Sequence, residues 1–205
     1  MANSWTDEAA GADNTFSAGE RGLPQVEARF DYSTPRWAGY IVGHIDQKDI
    51  AGPDLTSNAV EVGLSTTRGD WSIAANGHVG KNMGHQFAQI VQFGDGDIKG
   101  WGAWAQLGYT LNPKWSIWGF FGTERPDEGD LSDATKTVTE SNGTTVLAVA
   151  DRRFSSWLVV PMLRYKVGAY ALGLEWLHNE TQVGPDANNK LRSGNQVAFS
   201  VRYDF

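Results

Sequence analysis

Cysteine is absent from the 205 residues, so neither a disulfide framework nor a thiolate metal site is available. No apolar run in the chain approaches the roughly 20 residues that a transmembrane helix needs. That absence excludes helical spans only, because a barrel strand needs a single apolar face about ten residues long. The first residues, Met1-Ala-Asn-Ser-Trp-Thr-Asp-Glu8, lack the basic start and apolar core of an export signal. Positive charge is short as well. A net charge of -7 and a pI near 5.0 argue against a nucleic-acid partner. Helix-forming blocks of Glu, Lys and Leu are missing too. Glycine (24) and tryptophan (9) are plentiful instead.

What remains is alternation. In the last nine residues Val197, Phe199, Val201, Tyr203 and Phe205 are apolar, while Ala198, Ser200, Arg202 and Asp204 stand between them. A period of two puts the two sets on opposite faces of a strand. The same pattern places Val26, Ala28, Phe30 and Tyr32 opposite Glu27, Arg29 and Asp31. After a turn at Ser33-Thr34-Pro35, Trp37, Gly39, Ile41, Gly43 and Ile45 lie opposite Arg36, Ala38, Tyr40, His44 and Asp46. Further pairs turn at Arg68-Gly69-Asp70, at Asn112-Pro113 and at Lys166–Gly168. A small extra hairpin is expected at Asn142-Gly143.

These short turns alternate with long polar connections at 47–57, 80–97, 124–151 and 179–192. Outer-membrane barrels show this asymmetry, with short periplasmic turns and long extracellular loops. Trp37, Trp71 and Trp115 each follow a short turn, whereas Trp101, Trp157 and Trp176 lie towards the long-loop ends. Two aromatic girdles are expected where a bilayer has two interfaces. The fold class is therefore all-β, an antiparallel up-and-down transmembrane barrel with about nine strands over 23–205, and 1–22 as an extracellular loop segment. An odd count with an outside start predicts the C-terminal part of a larger barrel, which also accounts for the lack of an export signal. A tenth strand in 1–22 or 86–93 is the alternative.

The chain is similar to Gram-negative outer-membrane porins of the trimeric sixteen-stranded type. Two segments carry the resemblance, Gly22-Leu-Pro-Gln-Val-Glu-Ala-Arg-Phe-Asp-Tyr32 and Trp104-Ala-Gln-Leu-Gly-Tyr-Thr-Leu-Asn-Pro-Lys-Trp115. A Leu-Pro-Gln strand behind a Trp/Ser- and Asp/Gly-rich loop resembles the DcaP-like group. The terminal aromatic strand, with Val201, Tyr203 and Phe205, resembles the signal read by the barrel-assembly machinery. The resemblance implies the outer membrane, lipid and lipopolysaccharide around the wall, a homotrimer, and passive diffusion of small hydrophilic solutes or ions. No cofactor is expected.

If the aromatic faces meet lipid, the opposite faces line a lumen. Glu27, Arg29, Asp31, Arg36, Tyr40, Glu61, Gln106, Arg164, Glu175, Arg202 and Asp204 are the expected lining, with His44, Asp46, Asn76 and His78 on the same faces. Arg29, Arg36, Arg164 and Arg202 form either a cationic ladder for small anions or a set of pairs with Glu27, Asp31, Glu175 and Asp204. Gly63, Gly102, Gly108 and Gly122 also point inward, which favours open space, although Trp104, Trp118, Phe120 and Met162 point inward too. No Gly-x-Ser-x-Gly elbow or His-Glu-x-x-His pair occurs, so no enzyme and no catalytic residue are expected. Glu124, Asp127, Glu128, Asp130 and Asp133 lack the spacing of a calcium loop, and no metal is expected there. The alternative function is a small closed barrel acting as a structural anchor or adhesin.

Overall fold

The computed structural model describes residues 26–49, 54–83, 98–133, 137–140, 143–146, 152–185 and 189–203. Nine strands form one sheet in strict sequence order, each antiparallel to its neighbour. They are β1 (Val26–Ser33), β2 (Trp37–Asp49), β3 (Asp54–Arg68), β4 (Trp71–Lys81), β5 (Lys99–Thr110) and β6 (Trp115–Pro126), followed by β9 (Arg153–Val167), β10 (Tyr170–Val183) and β11 (Lys190–Tyr203). Between β6 and β9 lie one helical turn, α1 (Glu128–Asp133), and a separate hairpin of β7 (Thr137–Glu140) and β8 (Gly143–Val146). The sheet is all-β, up-and-down and not closed, so β1 and β11 are its edges.

The short turns follow local chemistry. Gly69 and Gly168 open the two-residue turns at 69–70 and 168–169 with φ of 59° and 56°. That positive φ at the first central position fits a type II′ turn, which matches the twist of the flanking strands. The 34–36 turn is held by Thr34, whose Oγ1 accepts from the amides of Arg36 at 3.3 Å and Trp37 at 2.9 Å. Asn112 does the same at the β5–β6 turn, its Oδ1 accepting from Lys114 at 2.9 Å and Trp115 at 3.1 Å. Pro161 has no N–H, and the β9–β10 ladder skips its level, passing from Glu175↔Met162 to His178↔Val159.

At the opposite end the connections depart from expectation. Strand pairing runs on to Asp49↔Asp54 and to Val183↔Lys190, which leaves only 50–53 and 184–189 as links in place of 47–57 and 179–192. Polar residues outside an apolar band still pair through their backbones, so polarity alone ended those strands too early. The connections 82–98 and 127–152 are long as expected. The extra hairpin exists, one residue earlier than placed, because Gly143 already pairs with Glu140. Residues 1–25, and with them the 1–22 segment, lie outside the described residues, as do 86–93.

The two faces differ in kind. One carries Val60, Val62 and Leu64, or Ile41 and Ile45, all about half exposed; the other carries buried Gly63, Asn76, Gly102 and Gly108. In a flat single sheet both faces would be equally open. Crowding on one side identifies it as the inner face of a curled sheet. The fully enclosed apolar cluster is small and lies at the long-connection end, where Leu131 of α1 is 0% exposed between Ile98 and Phe154. Ile98 and Phe154 stand in the inward alternation of β5 and β9, so α1 folds over the inner face there.

Candidate functional site on the inner face

The expected lining divides by strand. On β1 to β4 the polar side chains are joined. The Tyr40 hydroxyl donates to Glu61 Oε1 at 2.6 Å, and Asn76 Nδ2 reaches both Tyr40 Oη, at 2.7 Å, and Glu61 Oε1, at 2.6 Å. The Arg29 guanidinium stands 4.0 Å from the Tyr40 ring centroid. It also binds Asp31 through Nε, at 2.9 and 3.0 Å, and Nη2, at 2.7 Å. Next to them Glu27 Oε1 lies 3.1 Å from His44 Nδ1. These partners come from residues that alternation alone puts on one face; which of them touch depends on register, such as Tyr40↔Gly63 and Gly63↔Asn76. Asn76, which alternation places on the same face, is the member that bonds to both Tyr40 and Glu61.

The other expected lining residues stand apart from this group. Gln106 lies between Ala74 and Phe120. Arg164 lies between Ser116 and Gly173, Glu175 between Met162 and Ala198, and Arg202 opposite Ala171. Arg36 belongs to the first turn and not to β2, because Thr34 draws its amide into the turn. Asp204 and Phe205 lie outside the described residues. Of the four arginines, Arg29 is paired, as the second of the two sequence alternatives requires.

Inward glycines do not make open space. A Cβ at Gly63 would meet the Tyr40 ring at 2.2 Å, at Gly108 the Trp118 ring at 2.4 Å, and at Gly102 the His78 ring at 2.5 Å. Each bulky ring lies over a glycine of the neighbouring strand, a pairing that needs register to be seen. These glycines therefore do not leave the interior empty, contrary to the expectation from their small size.

The outer face carries the aromatic rings. Trp37, Trp71 and Trp115 begin β2, β4 and β6 and are exposed. Trp71 meets Tyr109 with centroids 4.6 Å apart, Trp115 meets Tyr165 at 4.7 Å, and Tyr170 meets Tyr203 at 4.8 Å. Alternation puts these tyrosines on the outer face, and register brings each against its aromatic partner. Towards the other end Trp101 and Trp176 are exposed. His178 stands in β10, 5.2 Å from Trp157 and 5.8 Å from Trp176. Trp157 Nε1 donates to Glu180 at 3.2 Å. Val201 and Tyr203 are exposed on the edge strand β11.

The acidic stretch before β7 serves its own fold. Asp127 caps α1, its Oδ1 accepting from the amide of Asp130 at 2.9 Å, and Asp130 Oδ2 accepts from the Lys99 amide at 3.2 Å. Arg152, buried beside α1, donates to the Leu131 carbonyl, and burial pulls its pKa below the ordinary arginine value. No protein-family model, curated protein or solved structure matches the chain.

Proposed function

We propose that the chain forms wall of a water-filled channel in the outer membrane of a Gram-negative bacterium, passing small hydrophilic solutes or ions by diffusion. The carrying observation is the division of one sheet into an outer face of exposed apolar side chains ringed by tryptophan and tyrosine, and an inner face that carries mutually bonded polar groups on β1 to β4. Hydrocarbon accepts the first face and a wet lumen the second. On this reading Val201 and Tyr203 present the β11 edge to the assembly machinery, lipopolysaccharide surrounds the long connections, and three copies associate as the porin resemblance implies. A second reading, a closed anchor or adhesin, draws on the rings that cover Gly63, Gly102 and Gly108.

The absence of native cysteine permits a clean test. Glu61→Cys and Val62→Cys are made singly, and the protein is reconstituted in vesicles. A membrane-impermeant thiol reagent should label the first and a lipid-phase reagent the second; equal labelling of both by the aqueous reagent refutes the membrane wall. Planar-bilayer conductance then separates channel from anchor. A fast-migrating band that slows on boiling would show that these strands close a barrel by themselves.

A further inference from the structure

Strands β6 and β9 are apolar on both faces. Outward stand Ile117, Phe121, Val159 and Leu163, which lipid accounts for. Inward stand Trp118, Phe120, Val160 and Met162 in direct register, Trp118↔Met162 and Phe120↔Val160. Trp104 of β5 stacks on Phe120 with centroids 5.8 Å apart and planes 26° apart. A wall against plain water has no use for this inward set, and strands apolar on both sides ordinarily have something on each. At the long-connection end the stripe is covered, because Leu131 packs onto Ile98 and Phe154. Below that cover its side chains remain partly exposed.

Both flanks of the open part are polar. On the β4 side stand Asn76 and Gln106, opposite Trp104 and Phe120 respectively. On the β10 side stands Glu175, opposite Met162, and at the turn end of the stripe Arg164 follows Met162 in β9, one inward position nearer the turns and opposite Ser116. Among the described residues neither Arg164 nor Glu175 has an ion-pair partner. One cation and one anion therefore stand a single inward position apart, on the β9 side of an indole that lies over Gly108 and that Ser116 fixes by accepting from Trp118 Nε1 at 3.0 Å. The complement of this surface is a flat apolar ring joined to one positive and one negative charge.

We infer that the stripe is a binding track for small zwitterionic solutes bearing a flat apolar ring, an inference that rests on the channel reading. The ring lies on Trp118 and Met162, its carboxylate meets Arg164 and its ammonium meets Glu175. Water displaced from both the ring and the stripe supplies the attraction, and the two charges set the orientation.

The test uses the full chain in planar bilayers with L-phenylalanine as probe and L-glutamine, of similar size, as its comparison. Phenylalanine should interrupt the ionic current in a concentration-dependent manner, and glutamine should not. Trp118→Ala should weaken the phenylalanine block about tenfold, as expected for loss of one aromatic contact, while Trp37→Ala, on the outer face, leaves it unchanged. Should Trp118→Ala fail to fold, Met162→Gln removes apolar surface at the same level and should weaken the block in the same direction. A conducting channel that treats the two amino acids alike, or whose phenylalanine block survives these substitutions, overturns the track alone. A chain that inserts without conducting overturns the channel and the track with it.

Discussion

The contact of Tyr40 with Gly63 yields a prediction with a number. Replacing Gly63 by alanine places a Cβ 2.2 to 2.7 Å from three atoms of the Tyr40 ring and hydroxyl, so the ring must leave. With it go the hydroxyl's bonds to Glu61 at 2.6 Å and from Asn76 at 2.7 Å. A hydrogen bond to a charged group contributes about 1.5–3 kcal/mol. Alanine in a strand recovers about 0.5–1 kcal/mol of backbone entropy relative to glycine. The difference predicts a net loss of about 1–2 kcal/mol for Gly63→Ala. Gly43 and Gly119 have nothing within 4 Å of the same position, so alanine there keeps only the gain. Guanidinium unfolding in detergent micelles, followed by tryptophan fluorescence, measures all three. The decisive comparison is a cycle with Tyr40→Ala, in which Gly63→Ala should cost nothing because no ring is displaced. If the loss persists without the ring, or if Gly63→Ala behaves like Gly43→Ala, the packing account is wrong.

Other outcomes follow from single contacts. Asn82 holds φ at 54° while its side chain accepts from the Ile98 amide at 2.9 Å and donates to the Thr56 carbonyl at 3.0 Å. Asn82→Ala should cost about 1–2 kcal/mol for the left-handed backbone alone, and Asn82→Gly should recover that part, both read from unfolding midpoints. Leu131→Ala empties a fully buried site and should cost about 2 kcal/mol, the low end for leucine because the cluster is small; limited proteolysis between β6 and β9 should accelerate with it. In the channel reading, neutralising the bonded pair together, Arg29→Gln with Asp31→Asn, should leave the reversal potential unchanged. Arg164→Gln, which removes an inward cation that has no ion-pair partner among the described residues, should shift it towards cation preference; equal shifts would contradict the assignment of pairs.

Alternation made the nine strands and their two faces legible in the sequence, because period two needs no knowledge of neighbours. The tryptophans at Trp37, Trp71 and Trp115 were legible for the same reason, each standing first after a turn. Everything that depends on register was not. Tyr109 and Tyr165 join the outer ring only because they fall opposite Trp71 and Trp115. Tyr40 covers Gly63, and Asn76 joins Glu61, only because three strands align at one level. The strand ends at Asp49 and Val183 are not legible either, because the ladder continues through polar residues there. Alternation puts Arg36 on the inner wall, yet the hydroxyl of Thr34, two residues earlier, claims its amide for the turn.

The polarity of the two edge strands governs how this sheet can be joined to anything. With nine strands in up-and-down order, β1 and β11 both run towards the short turns. A seam made directly between them would be parallel, with slanted bonds unlike the eight antiparallel ladders already present. A seam of the same kind as the others requires an odd number of further strands between these edges, whichever polypeptide supplies them. Until they are joined, each edge offers a row of peptide donors and acceptors that hydrocarbon cannot satisfy. A bilayer therefore admits these nine strands only with both edges covered.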